Sequence, residues 1–249
     1  MLILLPPSET KRPGGRRAPL EVARLAFAEL APQRETVLDA LVALCADEEA
    51  AARVLKLSAR QRGEIAVNRA LRTAPTLPAI DRYTGVLFDA LDAGVLPPAA
   101  RRWLGAHVAI QSAPFGLVGA LDAIPAYRLA AGTSLPGLPP LRRVWADATT
   151  AALAQRDPRF VLDLRSEAYA ALGPVPGGIR QAYLRVVTED GGGAVRALNH
   201  FNKHAKGDLV RRLATSRPRI ASVATLLAWA REAGLEMRPG AAGEVELVV

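Results

Sequence analysis

Three short stretches of this chain carry apolar runs without alternation, the first apolar on every position, which is the pattern of strands buried on both faces. They are Leu2 to Leu5, His107 to Ser112 and Phe160 to Arg165. Helical periodicity marks Glu21 to Ala31, Arg34 to Cys45 and Asp47 to Ala70, the last breaking near Ser58, a residue suited to cap a new helix. Thr73 to Pro78 interrupts the pattern, Asp81 to Leu91 starts as a loop and turns helical, and Pro97 to Leu104 is a helix opened by proline. Further helices are predicted over Trp145 to Arg156, Phe201 to Thr215 and Ile220 to Ala233. Gln181 to Thr188 and Val195 to Leu198 flank Gly191–Gly193 and read as a hairpin, and Glu244 to Val249 as a last edge strand.

Two segments escape the pattern. Lys11 to Pro19 holds Gly14, Gly15 and four basic residues and reads as a mobile loop. Ala113 to Pro125 is glycine-punctuated and aperiodic, yet too apolar for disorder, so a functional loop is expected there. No internal repeat is evident. Strands mixed with helices at irregular spacing point to α+β or mixed α/β, rich in helix because alanine, leucine and arginine dominate.

Composition narrows the class. The chain has 249 residues, half of them apolar, with 22% charged, the profile of a soluble globular protein. Its one cysteine, Cys45, sits in an apolar helical stretch and excludes an internal disulfide, which suits a reducing compartment. The apolar start stops at Pro6-Pro7 after five residues without a basic leader, and no stretch reaches membrane-spanning length, so a cytoplasmic protein with no membrane association is expected. The net charge of +8 is unevenly placed. Gln33 to Ala52 has five acidic residues against one arginine; Arg53 to Arg72 has six basic residues against Glu64; Arg196 to Arg219 has seven against Asp208. Such blocks point to a polyanion partner, or to solvated surface in an arginine-biased genome.

That bias makes lysine informative. There are only four, Lys11, Lys56, Lys203 and Lys206, among 32 lysines and arginines. A compact, tunable amine differs chemically from a guanidinium fork. Lys11 ends the turn Ser8-Glu9-Thr10-Lys11 after the first strand, where short hydroxyls, free backbone N–H groups and one amine suit a phosphate or carboxylate. The spacing also fits S-x-x-K, but S-D-N and K-T-G partners are absent. Asn199 to Leu213 is the second candidate: Phe201, Ala205, Leu209 and Leu213 share one helical face, and His200, Lys203, His204, Gly207 and Arg211 the other. That basic stripe fits a phosphate backbone, with Gly207 allowing close approach. His200 and His204 at i, i+4 lack a third ligand, so neither a metal nor another cofactor is expected. Gln111-Ser112 and Ser166 to Tyr169 repeat the theme of a strand ending in small polar residues.

The order of these blocks resembles the YaaA family of peroxide stress proteins. It runs from Pro6-Pro-Ser-Glu-Thr-Lys11 through Tyr83-Thr-Gly85, Ser112-Ala-Pro-Phe-Gly116 and Ala120-Leu-Asp122 to Pro125-Ala-Tyr-Arg-Leu-Ala-Ala-Gly132. Trp145-Ala-Asp147, Leu162-Asp-Leu-Arg-Ser-Glu-Ala-Tyr169 and Lys206-Gly207 follow. The resemblance implies one α+β domain over residues 1–249, helix-rich around a mixed sheet, with a YaaA-like topology and a basic cleft. It also implies a cytosolic role in hydrogen peroxide tolerance, a link to limiting iron-derived damage, and DNA binding through a helix-hairpin-helix-like element. Lys206 to Arg211 is the nearest match to that element here. The family often has Arg-Pro where this chain has Gly119-Ala120, and Tyr where it has Phe115, so the chain reads as a divergent branch.

Two functions remain in view. In the first, the protein holds duplex or branched DNA without sequence preference, Lys11, Thr10, Ser112, His200, Lys203, His204, Lys206 and Arg211 contacting phosphates together with Arg53 to Arg72. In the second, it is an enzyme on a nucleobase, nucleoside, nucleotide or similar small molecule, with Lys11, Ser8 and Glu9 in one wall of the cleft and Lys203 and Lys206 in the other.

Overall fold

The computed structural model describes residues 1–188 and 195–249, with side chains throughout except at 195–199. In chain order the elements are β1 (Leu2–Leu5), α1 (Ala31–Leu44), α2 (Glu48–Val54), α3 (Gly63–Arg69), β2 (Leu77–Pro78), α4 (Ala79–Arg82), α5 (Val86–Leu91) and α6 (Pro98–His107). They continue with β3 (Val108–Ser112), β4 (Gly116–Gly119), β5 (Ala123–Ile124), α7 (Leu141–Arg156), β6 (Val161–Asp163), α8 (Glu167–Ala170), β7 (Gln181–Val187), α9 (Val195–Ser216), α10 (Val223–Glu232), β8 (Met237–Pro239) and β9 (Glu244–Val248).

The architecture is α+β: a seven-stranded mixed sheet in the order β4-β3-β1-β6-β7-β9-β8, a two-stranded sheet of β2 and β5, and helices around them. The five inner strands, β3, β1, β6, β7 and β9, run parallel; β4 and β8 close the edges antiparallel. This explains the unbroken apolar runs, since helices cover both faces of a parallel sheet. All four side chains of β1 and all five of β3 are buried. It also gathers the C-terminal ends of β1, β3 and β6 along one border of the sheet, the usual place for chemistry in such sheets.

Several expectations are corrected. Ala113 to Pro125 is not one long loop, because Gly116–Gly119 pairs with β3 from Ser112↔Gly116 to Ala109↔Gly119. The four-residue strand is buried on both faces, so it shows no alternation. It is held by Arg34, fully buried, which donates to the Phe115, Leu117 and Ala26 carbonyls at 2.9, 2.7 and 2.6 Å. Gly116 has φ +63° and lies against the Trp145 ring, where a side chain would not fit. Residues 191–193, the expected hairpin turn, lie outside the described residues, and Val195–Leu198 opens α9 rather than a strand. Glu244–Val248 is an inner strand between β7 and β8; the edge is Met237–Pro239, where proline costs no ladder bond.

Glu21 to Ala31 forms only two 3₁₀ turns, Val22–Arg24 and Ala28–Leu30, separated by Phe27 at φ +56°. The Asp47 to Ala70 stretch breaks where Ser58 and Gln61 make a reciprocal cap. The charge blocks turn out to be paired with each other. Arg62 takes Glu49 with both nitrogens, Arg69 pairs with Glu48, and Arg72 with Glu35 and Asp39. Half of the Arg53–Arg72 block is therefore spent in fastening α3 to α1 and α2, which removes those arginines from the expected phosphate track.

Candidate functional site at the strand ends

The chain leaves β1 through Pro6-Pro7 and turns back on itself at Ser8 to Lys11. The return is fixed by a bridge between Lys11 and Tyr83, by Thr84 N–H donating to the Thr10 carbonyl at 3.2 Å, and by Arg12 N–H donating to the Arg82 carbonyl at 2.8 Å. The fully buried Arg82 supplies the staple: its guanidinium donates to the carbonyls of Ile124, Pro75 and Arg12. Three segments distant in sequence are tied together by one side chain.

Within the turn, the Lys11 amine donates to the Ser8 and Glu9 carbonyls at 2.9 and 3.1 Å. It stands 4.0 Å from the Tyr127 ring centroid and 5.6 Å from that of Tyr83. Burial, with the nearby Arg128 charge, lowers its pKa to about 7, against the opposing pull of Glu64 and Glu9. The Ser8 hydroxyl lies on Thr10 at 3.3 Å rather than on the amine, and Thr84 donates to the same Thr10 hydroxyl at 3.0 Å. The arrangement expected of a lysine deprotonating a serine is not present in this turn. The Glu9 carboxylate is 77% exposed and faces Arg128 at 3.3 Å. Gly85, at φ +92°, brings the backbone up against the Ser8 and Thr10 hydroxyls.

Below the amine lies a buried hydroxyl chain. Tyr83 and Tyr127 share a hydrogen bond of 2.9 Å, and Ser112 at the end of β3 donates to Tyr127 at 3.3 Å while accepting from Phe115 N–H. Burial pushes both phenols well above their ordinary pKa. Tyr169 is pushed up to about 12 by burial. Lys11, Thr10 and Ser112 are thus brought to one place, although Ser112 reaches Lys11 only through Tyr127.

Lys206 has a different setting. It is 7% exposed, with its amine 5.9 Å from the Tyr183 ring centroid. Burial lowers its pKa to about 8, the Asp163 carboxylate partly restoring it and Arg185 opposing. Asp163, at the end of β6, is gripped by Arg165 through 2.9 and 2.6 Å bonds. Arg165 donates further to Gln111 Oε1 at 3.1 Å and to the Gly173 carbonyl, and its own carbonyl accepts from the Tyr183 hydroxyl at 2.7 Å. All four tyrosines of the chain therefore belong to these two surroundings.

The expected stripe on α9 is only half present. His200, Lys203 and His204 are exposed, but so is Phe201 at 57%. Gly207 is pressed onto the Leu87 carbonyl of α5, so its missing side chain serves helix packing rather than a phosphate. Arg211 donates to the Leu91 and Asp92 carbonyls and pairs with Asp92 at 3.5 Å. The Lys206–Arg211 run lies inside the continuous helix Val195–Ser216 and forms no hairpin. Past Lys206 the helix is covered on both sides, by α5 and by the core that takes Leu209 and Leu213.

Composition singled out the lysines but not their partners. Arg82, Arg128, Tyr127, Asp163, Arg165 and Gln111 carried no signal of their own beyond the blocks in which they stand. One local signal was readable: Asp163 and Arg165 at i, i+2 share a face of an extended segment. Among the described residues no group of three or more His, Cys, Asp or Glu side chains is placed to hold a metal, and no helix is long and apolar enough to cross a membrane.

Residues 1–240 match the family model described as peroxide stress protein YaaA. A UPF0246 protein of Corynebacterium efficiens is 48% identical over 256 residues, covering all of both chains. One from Corynebacterium glutamicum is 44% identical over 255 residues, again covering all of both. One from Streptomyces coelicolor is 42% identical over 241 residues, covering 95% of this chain and 92% of its own.

Proposed function

The chain belongs to the YaaA family of peroxide stress proteins, and on that premise we propose that it acts in the cytosol by holding the phosphate backbone of DNA, limiting iron-linked oxidative damage there. One observation carries the reading. Arg12, Arg16 and Arg17 stand exposed on the loop after Lys11 and make no ion pair among the described residues. The loop is pinned at both ends, by the Lys11–Tyr83 and Arg17–Thr76 bridges. Three unpaired cations on a fixed loop supply phosphate contacts without base readout, so duplex and branched DNA are held alike. Lys203, His200 and His204 of α9 are exposed as well and offer further cationic contacts.

The test is a binding titration of a labelled duplex over a salt series, with the protection of plasmid DNA from iron and peroxide as its companion. Affinity that falls steeply with salt, and nicking that slows in proportion to occupancy, are the expected results. Binding that ignores salt removes the reading.

A second reading, an enzyme on a nucleobase, nucleoside or nucleotide, is favoured by one specific feature. Lys11, half-buried in the turn after β1, and Lys206, buried on α9, have pKa values lowered to about 7 and about 8, so neutral amine is available near neutral pH.

A further inference from the structure

We propose that Lys206 is the reactive amine of this protein and condenses with an aldehyde that carries a neighbouring phosphate. Lys11, half-buried, and Lys206, buried, are not equivalent. The Lys11 amine is taken up by two backbone carbonyls and the face of Tyr127, which is the bonding of a structural cation. The Lys206 amine, on a side chain more than nine-tenths buried, makes no hydrogen bond among the described residues. The Lys206 stem is buried, while its amine is not among the fully buried polar atoms left without a partner, so the nitrogen is open to a reactant and unclaimed by the protein.

The surroundings fit an imine. The Asp163 carboxylate is held rigidly by Arg165 and lies within electrostatic reach of the amine without pairing with it, so it stabilises positive charge that stays on nitrogen. The same network leaves a second donor open: Gln111 Nε2 is fully buried with no partner, while Gln111 Oε1 is used by Arg165. Two unpartnered donors, on α9 and β3, belong to surroundings joined through Asp163 and Arg165. A turn earlier on α9, Lys203 is exposed and makes no ion pair among the described residues, with His200 and His204 exposed beside it. That is where a phosphate next to the aldehyde would be met.

The step takes one proton from solvent. The nitrogen lone pair forms a bond to the carbonyl carbon as the π pair moves to oxygen, and a proton passes from nitrogen to that oxygen to give a carbinolamine. A second proton, from solvent, joins the hydroxyl, and the nitrogen lone pair forms the C–N π bond as the C–O bond breaks and water leaves. The product is an iminium within the electrostatic reach of Asp163. An aldehyde flanked by phosphate has two sources: a deoxyribose in DNA that has lost its base, or a free sugar phosphate. The first source rests on the DNA-holding reading above; the second does not.

The experiment is borohydride trapping of the full chain with a duplex containing an abasic site, and in parallel with deoxyribose 5-phosphate. Borohydride reduces the iminium to a stable secondary amine, which peptide mass mapping locates. The expected adduct is on Lys206 in the wild type, absent in Lys206→Arg and Lys206→Met, and retained in Lys11→Arg. Mapping on the wild type needs no variant to fold. No adduct with either aldehyde, or an adduct on Lys11 or Lys203, overturns the proposal. Equal trapping of propanal overturns its phosphate half. Trapping of the sugar phosphate by a protein that holds no duplex supports the amine and sinks the DNA reading. Salt-sensitive duplex binding with no adduct in either arm does the reverse.

Discussion

Gly207 of α9 rests on the Leu87 carbonyl of α5 so closely that a methyl group there would overlap the oxygen, with the Ala90 Cβ only 2.8 Å away. The obstacle is backbone, which cannot rotate aside. Gly207→Ala therefore forces α9 off α5. Overpacking of this kind costs about 1–3 kcal/mol, and a chain of this size loses roughly 2–4 °C of Tm for each kcal/mol. Thermal unfolding followed by circular dichroism reads the drop. An unchanged Tm would mean that the two helices do not meet in this way.

Arg82 ties the Lys11 turn to two other segments through three carbonyl acceptors. In Arg82→Met those acceptors lose their partner inside the protein. Each unsatisfied buried group costs about 1–3 kcal/mol, so the loss is expected to be large. The local consequence is more telling. The Arg12–Arg17 loop should become the first site of limited proteolysis, at temperatures where the rest of the chain stays folded. Equal protease resistance of variant and wild type would remove the staple.

Lys206 gives a pH dependence with a definite sign. Its folded pKa is lowered to about 8 by burial, below the unfolded value of 10.5. Between those values the unfolded state binds the extra proton, so stability rises with pH through that window, and below about pH 8 the full penalty is present. Lys11, lowered to about 7, acts in the same direction from a lower start. Cys45, whose thiol burial pushes above 9.0, opposes the rise from about pH 9. Lys206→Met removes the Lys206 contribution, so the variant should be more stable than wild type at pH 7. Its advantage should shrink by pH 9. Denaturant midpoints at the two values measure this, and a variant less stable than wild type at pH 7 contradicts it. A residue whose loss stabilises the fold is kept for something other than folding.

The parts of the fold that could be read beforehand are those set by local chemistry. Leu2–Leu5 and Val108–Ser112 are legible because burial on both faces leaves an unbroken apolar run with a polar or proline stop. The break at Ser58 is legible because the capping pair Ser58 and Gln61 is a local device. Gly116–Gly119 is not, since a four-residue strand with glycine at both ends carries no alternation, and its staple, Arg34, lies far away in sequence. The same limit applies to the site. Scarcity exposed Lys11 and Lys206, but whether an amine is structural or free depends on Tyr127, Asp163 and Arg165, which only the folded chain brings near. The charge blocks misled for this reason too: Arg62, Arg69 and Arg72 are basic in sequence and neutralised in space.

That neutralisation yields the sharpest comparison for DNA. If Arg12, Arg16 and Arg17 meet phosphates, replacing all three with glutamine should reduce the slope of log affinity against log salt by about 2–3, because each phosphate contact on duplex DNA contributes about 0.9. Replacing Arg62 and Arg72 removes charge without removing contacts, since both already face carboxylates on α1 and α2. It also frees Glu35, Asp39 and Glu49, whose long-range repulsion lowers affinity slightly while leaving the slope nearly unchanged. The two triple and double variants differ by one charge, so a simple dependence on net charge predicts similar losses for both. A contact mechanism predicts a large loss of slope for the loop variant alone. Fluorescence anisotropy on one duplex across the salt series separates the cases, and equal slopes for the two variants would place the DNA somewhere other than on the Lys11 loop.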